Sequence, residues 1–257
     1  MKLEQATGAT ITQLWATLEP QLQQATFLEE AAQALATGLH RQFTESVVLA
    51  RVYVTVPFDA LPPTNRAFVQ SLAAGALKGT TPVLSLVGTH GQEATWNNRL
   101  NSKGHKGIPL ISAAFVDAIP MIARLLRELG VPLDWIDSHD AERLITTIGK
   151  AAGLFFVEDA AQATDQKGRK VIPAQDFVSA YDVKSVFGTG GAYSGGQMLL
   201  VVVLFCRDLV ARVTAELFLP LVDLFTGKTA PLVALARVFA PPEEERDKLS
   251  SLVIDDR

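Results

Sequence analysis

One cysteine, Cys206, stands in 257 residues. That scarcity excludes an intramolecular disulfide and any multi-cysteine metal site, and it suits a reducing cytoplasmic compartment. Charge is sparse and close to balanced, with 27 Asp and Glu against 23 Lys and Arg and a formal net charge of −4. Such a chain has no electrostatic basis for gripping a nucleic-acid backbone or an anionic lipid surface. The densest basic stretch, Arg99–Lys106, is short and has no interleaved aromatics. No nucleic-acid and no membrane partner is therefore expected. The opening residues lack the basic-then-apolar pattern of a signal peptide. The longest unbroken apolar run, Met198–Cys206, falls well short of the roughly 18–20 residues that span a bilayer.

Catalytic patterns are missing too. The four histidines, His40, His90, His105 and His139, include no i, i+4 pair and no HExxH. His90 and His105 share a loop, but a metal there would need further ligands. No serine sits in a G-x-S-x-G elbow. Cys206, inside an apolar strand, reads as an inert thiol. Glu158 and Asp159 are adjacent on a strand and so point to opposite faces. No constellation for catalysis results, and the chain is not expected to be an enzyme.

What is present is apolar residue, 48% of the chain, arranged in helical and strand periods. Hydroxyl residues followed three positions later by Gln or Glu, Thr10–Gln13 and Thr26–Glu29, predict two helix starts. The first helix is expected to break near Pro20. The second carries Leu28, Ala31, Ala32, Leu35, Leu39 and Phe43 on one side. Ser46–Pro57 predicts a strand whose Val48, Ala50, Val52, Val54 and Val56 form one apolar face. Its other face, with Val47, Leu49, Arg51, Tyr53 and Thr55, is mixed and turns towards a helix layer or a cavity. A helix over Asn65–Leu77 and a strand over Pro82–Val87 follow.

Residues Gly88–Leu110 read as a long polar loop, a kind of segment enriched for function. Ser112 is expected to cap the next helix, Pro120 to kink or split it and Gly130 to end it. A further helix is expected from Ser138, with Leu144, Ile145 and Ile148 inward. Leu154–Asp159 reads as a strand, Asp165–Gly168 as a turn and Lys170–Pro173 as a short strand. Lys184–Gly188 and Gln197–Cys206 flank a glycine-rich connection that reads as a hairpin turn. Apolar on both faces, the last strand belongs in the middle of its sheet. Asp208 is expected to cap a closing helix, and a charged tail (240–257) to fray. Residues 1–25 form a helical extension, and the whole chain is expected to be one domain.

This order of helices, strands, mid-chain excursion, hairpin and closing helix resembles a GAF domain. The likeness rests most on SVVLARVYVTVP and on KSVFGTGGAYSGGQMLLVVVLFCRD, and it covers roughly Thr26 to Phe239. The phrase WNNRLNSKGHKGIPL also looks like GAF-like sensor regions of bacterial, often cyanobacterial, signalling proteins. The resemblance implies an α+β fold, with a central antiparallel sheet, terminal helices on one face and a helix and loop excursion lining a small-molecule pocket on the other. The Asn-Lys…Phe…Asp-Glu signature of cyclic-nucleotide binders is missing, and Cys206 is followed by Arg207 rather than the His typical of bilin attachment.

A sensory or regulatory small-molecule module in signal transduction is the function so implied, with the ligand or cofactor unspecified and a signalling output protein as partner. Trp96, Asn97, Arg99, Ser102 and His105 are the candidate ligand contacts in the loop, a guanidinium fork, amides and an indole suited to an anionic or aromatic molecule. Tyr193 joins them from the glycine-rich connection. The plainer alternative is that Trp96 plugs the core edge while the loop charges face water. A homodimer is expected through Trp15, Leu18, Leu22 and the closing helix. A ligand-free interaction module is the second reading. A small-molecule reductase is the third, disfavoured by the lone cysteine.

Overall fold

The computed structural model describes residues 1–73, 77–102, 105–138, 146–147, 149, 152–196 and 198–241. Six strands form one antiparallel sheet in the order β3-β2-β1-β6-β5-β4. They are β1 (Val47–Pro57), β2 (Pro82–Gly91), β3 (Gly107–Pro109), β4 (Ala152–Val157), β5 (Ser185–Ala192) and β6 (Leu199–Cys206). β1 and β6 lie side by side at the centre, with Val52 opposite Val202 and Val54 opposite Leu200. All eight residues of β6 are buried, as expected for a strand covered on both faces. The expected architecture is therefore the observed one.

One face of the sheet carries the helices from the two ends of the chain. α1 (Gly8–Gln24) and α2 (Leu28–Gln42) pack with the closing helices α7 (Arg212–Glu216) and α8 (Leu219–Ala234) over Ala50, Val52, Val54, Phe187, Val202 and Leu204. The opposite face is covered by the mid-chain excursion. Its α4 (Ala113–Asp117) and α5 (Pro120–Glu128), a 3-10 segment over Leu133–Ser138, and α6 (Gln175–Ala180) pack over Leu49, Tyr53, Leu84, Leu86, Val201 and Val203. α3 (Pro63–Leu72) sits beside β3 and buries Val69 on the terminal-helix side.

Several local expectations are corrected. α1 starts at Thr7, whose hydroxyl accepts from Thr10 N–H, and it runs through Pro20 to Gln24. Burial of Ile11, Leu14, Leu18 and Leu22 outweighs the one backbone bond Pro20 cannot make. At α2 it is Glu30, not Glu29, that folds back onto Thr26. Glu29 is left for another partner. An irregularity between Val47 and Leu49 exchanges the faces of Val47 and Val48, so Val47 joins the helix side and Val48 the outer side. α3 is shorter than its expected span and β2 longer. Lys170 makes only an isolated bridge, to Thr164. Ala211, not Asp208, precedes α7; Asp208 instead accepts from the hydroxyl of Ser46, just before β1.

The glycine run is also different. Gly188, Gly190 and Gly191 lie inside β5, and only Gly195 and Gly196, both at positive φ, form the turn. A Cβ on Gly190 would stand 2.5 Å from Leu129 Cδ1, so this glycine lets the end of α5 close onto the sheet. The split at Pro120 and the stop at Gly130 (φ 77°) are as expected. Beyond Ser138, the expected helix bearing Leu144, Ile145 and Ile148 lies outside the described residues, as does the tail beyond Pro241.

By length and composition alone, the helical stretch Arg212–Ala234 is apolar enough to cross a membrane, which the search for unbroken apolar runs misses. In the fold, Phe218, Leu221, Val222 and Phe225 on this stretch are buried against the sheet.

A candidate ligand cavity on the outer face of the sheet

The polar stretch after β2 is more ordered than a loop. β2 runs on through Thr89 and His90 to Gly91, 3-10 turns form at Ala94–Trp96 and Arg99–Asn101, and β3 closes the segment. Two contacts fold it back onto the sheet. Gly91 N–H donates to Asn97 Oδ1 at 2.8 Å, and the Trp96 ring lies so close to Gly91 that a Cβ there would be 2.7 Å from Trp96 Cε3.

Beneath this segment lies a cavity of about 170 Å³. Its floor is the outer face of the central strands, Leu49, Arg51 and Tyr53 of β1 with Val203 and Phe205 of β6. Its roof comes from Met121, Ile122 and Leu125 of α5 and from Ile172, Pro173, Ala174 and Phe177, while Trp96 and His105 stand on the loop side. Aromatic rings build one wall: Trp96 meets Phe177 and Tyr181 with centroids at 5.7 and 4.7 Å, and Phe177 meets Phe205 edge-on at 5.5 Å. The lining is otherwise mostly aliphatic; among the described residues its one permanent charge is Arg51, and its titratable side chains are Tyr53 and His105.

Arg51 occupies the middle of an apolar strand. Its Nη1 donates to Tyr53 Oη at 3.3 Å and its Nη2 to Ser102 Oγ at 3.2 Å. Both acceptors are neutral, and the buried Nε–H has no partner. His105 adopts φ 55°, a left-handed conformation that L residues seldom hold. The residue is exposed overall and contributes to the rim of the cavity. Burial of the ring, and then the Arg51 charge, hold its pKa below the ordinary imidazole value.

The six candidate contacts are placed as follows. Trp96 and His105 line the cavity, and Ser102 holds Arg51. Asn97 fixes the turn. Arg99 points the other way, into the joint between loop and helix layer: its Nη2 pairs with Glu29 Oε2 at 2.6 Å, its Nη1 donates to Asn65 Oδ1 at 3.1 Å, and its guanidinium lies over the Phe239 ring. Tyr193 is on the terminal-helix face, its hydroxyl 2.8 Å from Thr229 Oγ1, and burial pushes its pKa far up. Cys206 is fully buried on that same face with its thiol pKa raised, so the chain's one thiol is not at the cavity.

Sequence reasoning placed Arg51 and Tyr53 on the face of β1 that turns towards a helix layer or a cavity but did not name them as ligand contacts, and it missed Met121, Ile122 and Phe177. The signal was there for Arg51: a lone cation amid SVVLARVYVTVP. Of the dimer surface expected on α1, Leu18 and Leu22 are buried within the chain's own core and Trp15 packs against it.

No protein-family model matches the chain, and no curated protein matches it. Solved structures with a similar chain course include a GAF domain from a phosphoenolpyruvate-protein phosphotransferase of Coxiella burnetii, at 11% identity, covering 89% of this chain and 98% of that one, with a TM-score of 0.47. The phycocyanobilin-bound GAF domain from a cyanobacterial phytochrome is similar at 14% identity, with coverage of 86% and 94% and a TM-score of 0.47. Residues 122 to 287 of a methyl-accepting chemotaxis protein are similar at 13% identity, with coverage of 85% and 96% and a TM-score of 0.43.

Proposed function

We propose that this chain is a regulatory small-molecule-binding module whose ligand occupies the outer-face cavity. The observation that carries this reading is the cavity itself. At about 170 Å³ it exceeds the roughly 150 Å³ apolar cavity known to hold benzene. Its walls are apolar with few polar groups, the composition typical of small-molecule sites.

Arg99 supplies the route from ligand to helix layer. It sits between Trp96 and Ser102 in sequence, yet it pairs with Glu29 on α2 and stacks on Phe239 beyond α8. The backbone also joins these elements, through Leu28 N–H to Arg237 O and Glu29 N–H to Val238 O. A ligand that prefers one loop position therefore biases the helix layer by its differential affinity. Leu209, Val213 and Leu235, all exposed around the closing helices, favour a homodimer or an output partner on that side. A reducing cytoplasm, where the lone thiol stays unoxidised, is the compartment of this reading.

The test is calorimetric titration with 3-phenylpropan-1-ol, a neutral aryl-alkyl probe of suitable size. Binding is expected in the wild type, and its loss in Val203→Phe or Ala174→Leu, which fill the cavity from floor and roof. Undiminished binding in both folded variants would remove the cavity from the account.

A further inference from the structure

We propose that the natural occupant of this cavity is an aryl- or alkyl-substituted carboxylate, with Arg51 as the group that selects its anionic end. The inference rests on the cavity reading above and goes beyond it by naming a ligand class.

Among the described residues, Arg51 is the only permanently charged side chain in the lining. It stands on the central strand β1, between Thr89 of β2 and Val203 of β6. Among the described residues no carboxylate forms an ion pair with it. Its two hydrogen bonds, at 3.3 and 3.2 Å, go to the neutral oxygens of Tyr53 and Ser102. These are long for a guanidinium, and they hold the fork without neutralising it. The Nε–H is buried and unpartnered. A cation in apolar surroundings is costly unless an anion offsets it. Elsewhere the chain offsets such a charge internally: Arg99 has Glu29 at 2.6 Å. Arg51 has no such partner, and the space in front of it is open.

A carboxylate matches the fork's planar geometry and makes charge-assisted hydrogen bonds, stronger than those to neutral acceptors. The rest of the lining sets the rest of the ligand. Trp96, Phe177 and Phe205 offer ring edges and faces to an aromatic or compact alkyl body. His105 adds a second nitrogen on the loop side. The positive group also discriminates, because an amine of the same shape would bring like charge to Arg51.

Three probes of one shape separate the terms: 3-phenylpropionate, 3-phenylpropan-1-ol and 3-phenylpropylamine, titrated by calorimetry against the full chain. The carboxylate is expected to bind about tenfold tighter than the alcohol, the margin of one charge-assisted contact, and the amine weakest. Arg51→Met should bring carboxylate and alcohol within about twofold of each other. Arg51→Lys, which keeps the charge without the fork, should fall between. Because the wild-type ordering needs no variant, a folding defect in Arg51→Met leaves the inference testable. Equal binding of carboxylate and alcohol would overturn the anion assignment while leaving the cavity as a ligand site. Binding of none of the three would overturn the cavity reading beneath it.

Discussion

Across the thickness of one sheet, the terminal-helix layer leaves a void of about 10 Å³ beside Leu35, Phe187 and Phe218, whereas the excursion layer leaves about 170 Å³ beside Arg51 and Phe177. The helix layer's long elements come from both ends of the chain and pack onto the valines of β1 and β6. Short helices separated by Pro120, Gly130 and Pro173 build the other layer, and short elements cannot follow a twisted sheet without leaving gaps. Two coverings of the same strands thus yield a sealed core on one side and a receptive surface on the other.

The largest expected effect lies where the two sides are joined. Glu29→Ala leaves Arg99, only 9% exposed, without its counter-charge, and should cost about 3–5 kcal/mol in denaturant unfolding. Arg99→Met removes the charge and should cost less than Glu29→Ala. Equal losses would mean that the pair contributes only packing.

A pH scan sharpens the contrast from the sealed side. His40 and His90 lie with ring centroids 4.8 Å apart. Burial first, then His90, Arg207 and Arg41, lower the His40 pKa to about 4, and burial lowers that of His90. In the unfolded chain the His40 imidazole takes up a proton near its ordinary value of about 6.5, while in the folded chain it stays neutral until about pH 4. Stability is therefore greatest above about pH 7 and falls as the pH drops towards 4, by on the order of 2–3 kcal/mol. His40→Leu should flatten that slope. An unchanged slope would show that carboxylates alone set it.

Enlarging side chains probes the difference in filling. Val52→Leu, on the sealed face, should cost about 1–3 kcal/mol by overpacking. The same change at Val203, facing the cavity, should be close to neutral and should weaken binding of the neutral probe. Matching costs at the two positions would break the comparison. The smallest effect is expected at the surface. Val213→Lys and Leu235→Lys, at residues 70% and 64% exposed, should shift stability by less than about 0.5 kcal/mol. Sedimentation should nevertheless report loss of any homodimer formed through that side.

Legibility in the sequence follows the same division. β1 is rich in β-branched residues and β6 is an unbroken apolar run, so their central pairing could be read from composition and period. α2 was legible for the same reason, down to its buried Leu35 and Leu39. Pro20 misled because a local helix penalty is outweighed by four buried side chains elsewhere on α1, and that balance is tertiary. Gly188 and Gly190 read as turn residues, yet they serve close packing within β5. The cavity was only partly legible. Trp96 and His105 stood out as polar-loop residues, but Met121, Ile122 and Phe177 look like ordinary core positions until folding brings them over Arg51. Arg99 and Arg51 show the limit most plainly, since each is a lone guanidinium by sequence and only the fold gives a carboxylate to the first.

The most direct measurement is a methyl NMR titration of the full chain with 3-phenylpropionate, following Met121, Ile119, Ile122 and Ile172 against Leu35 and Leu39. Saturable shifts at the first four, absent in Val203→Phe, are the predicted result. Shifts confined to Leu35 and Leu39, or no saturable shift at any of the six, would contradict the account.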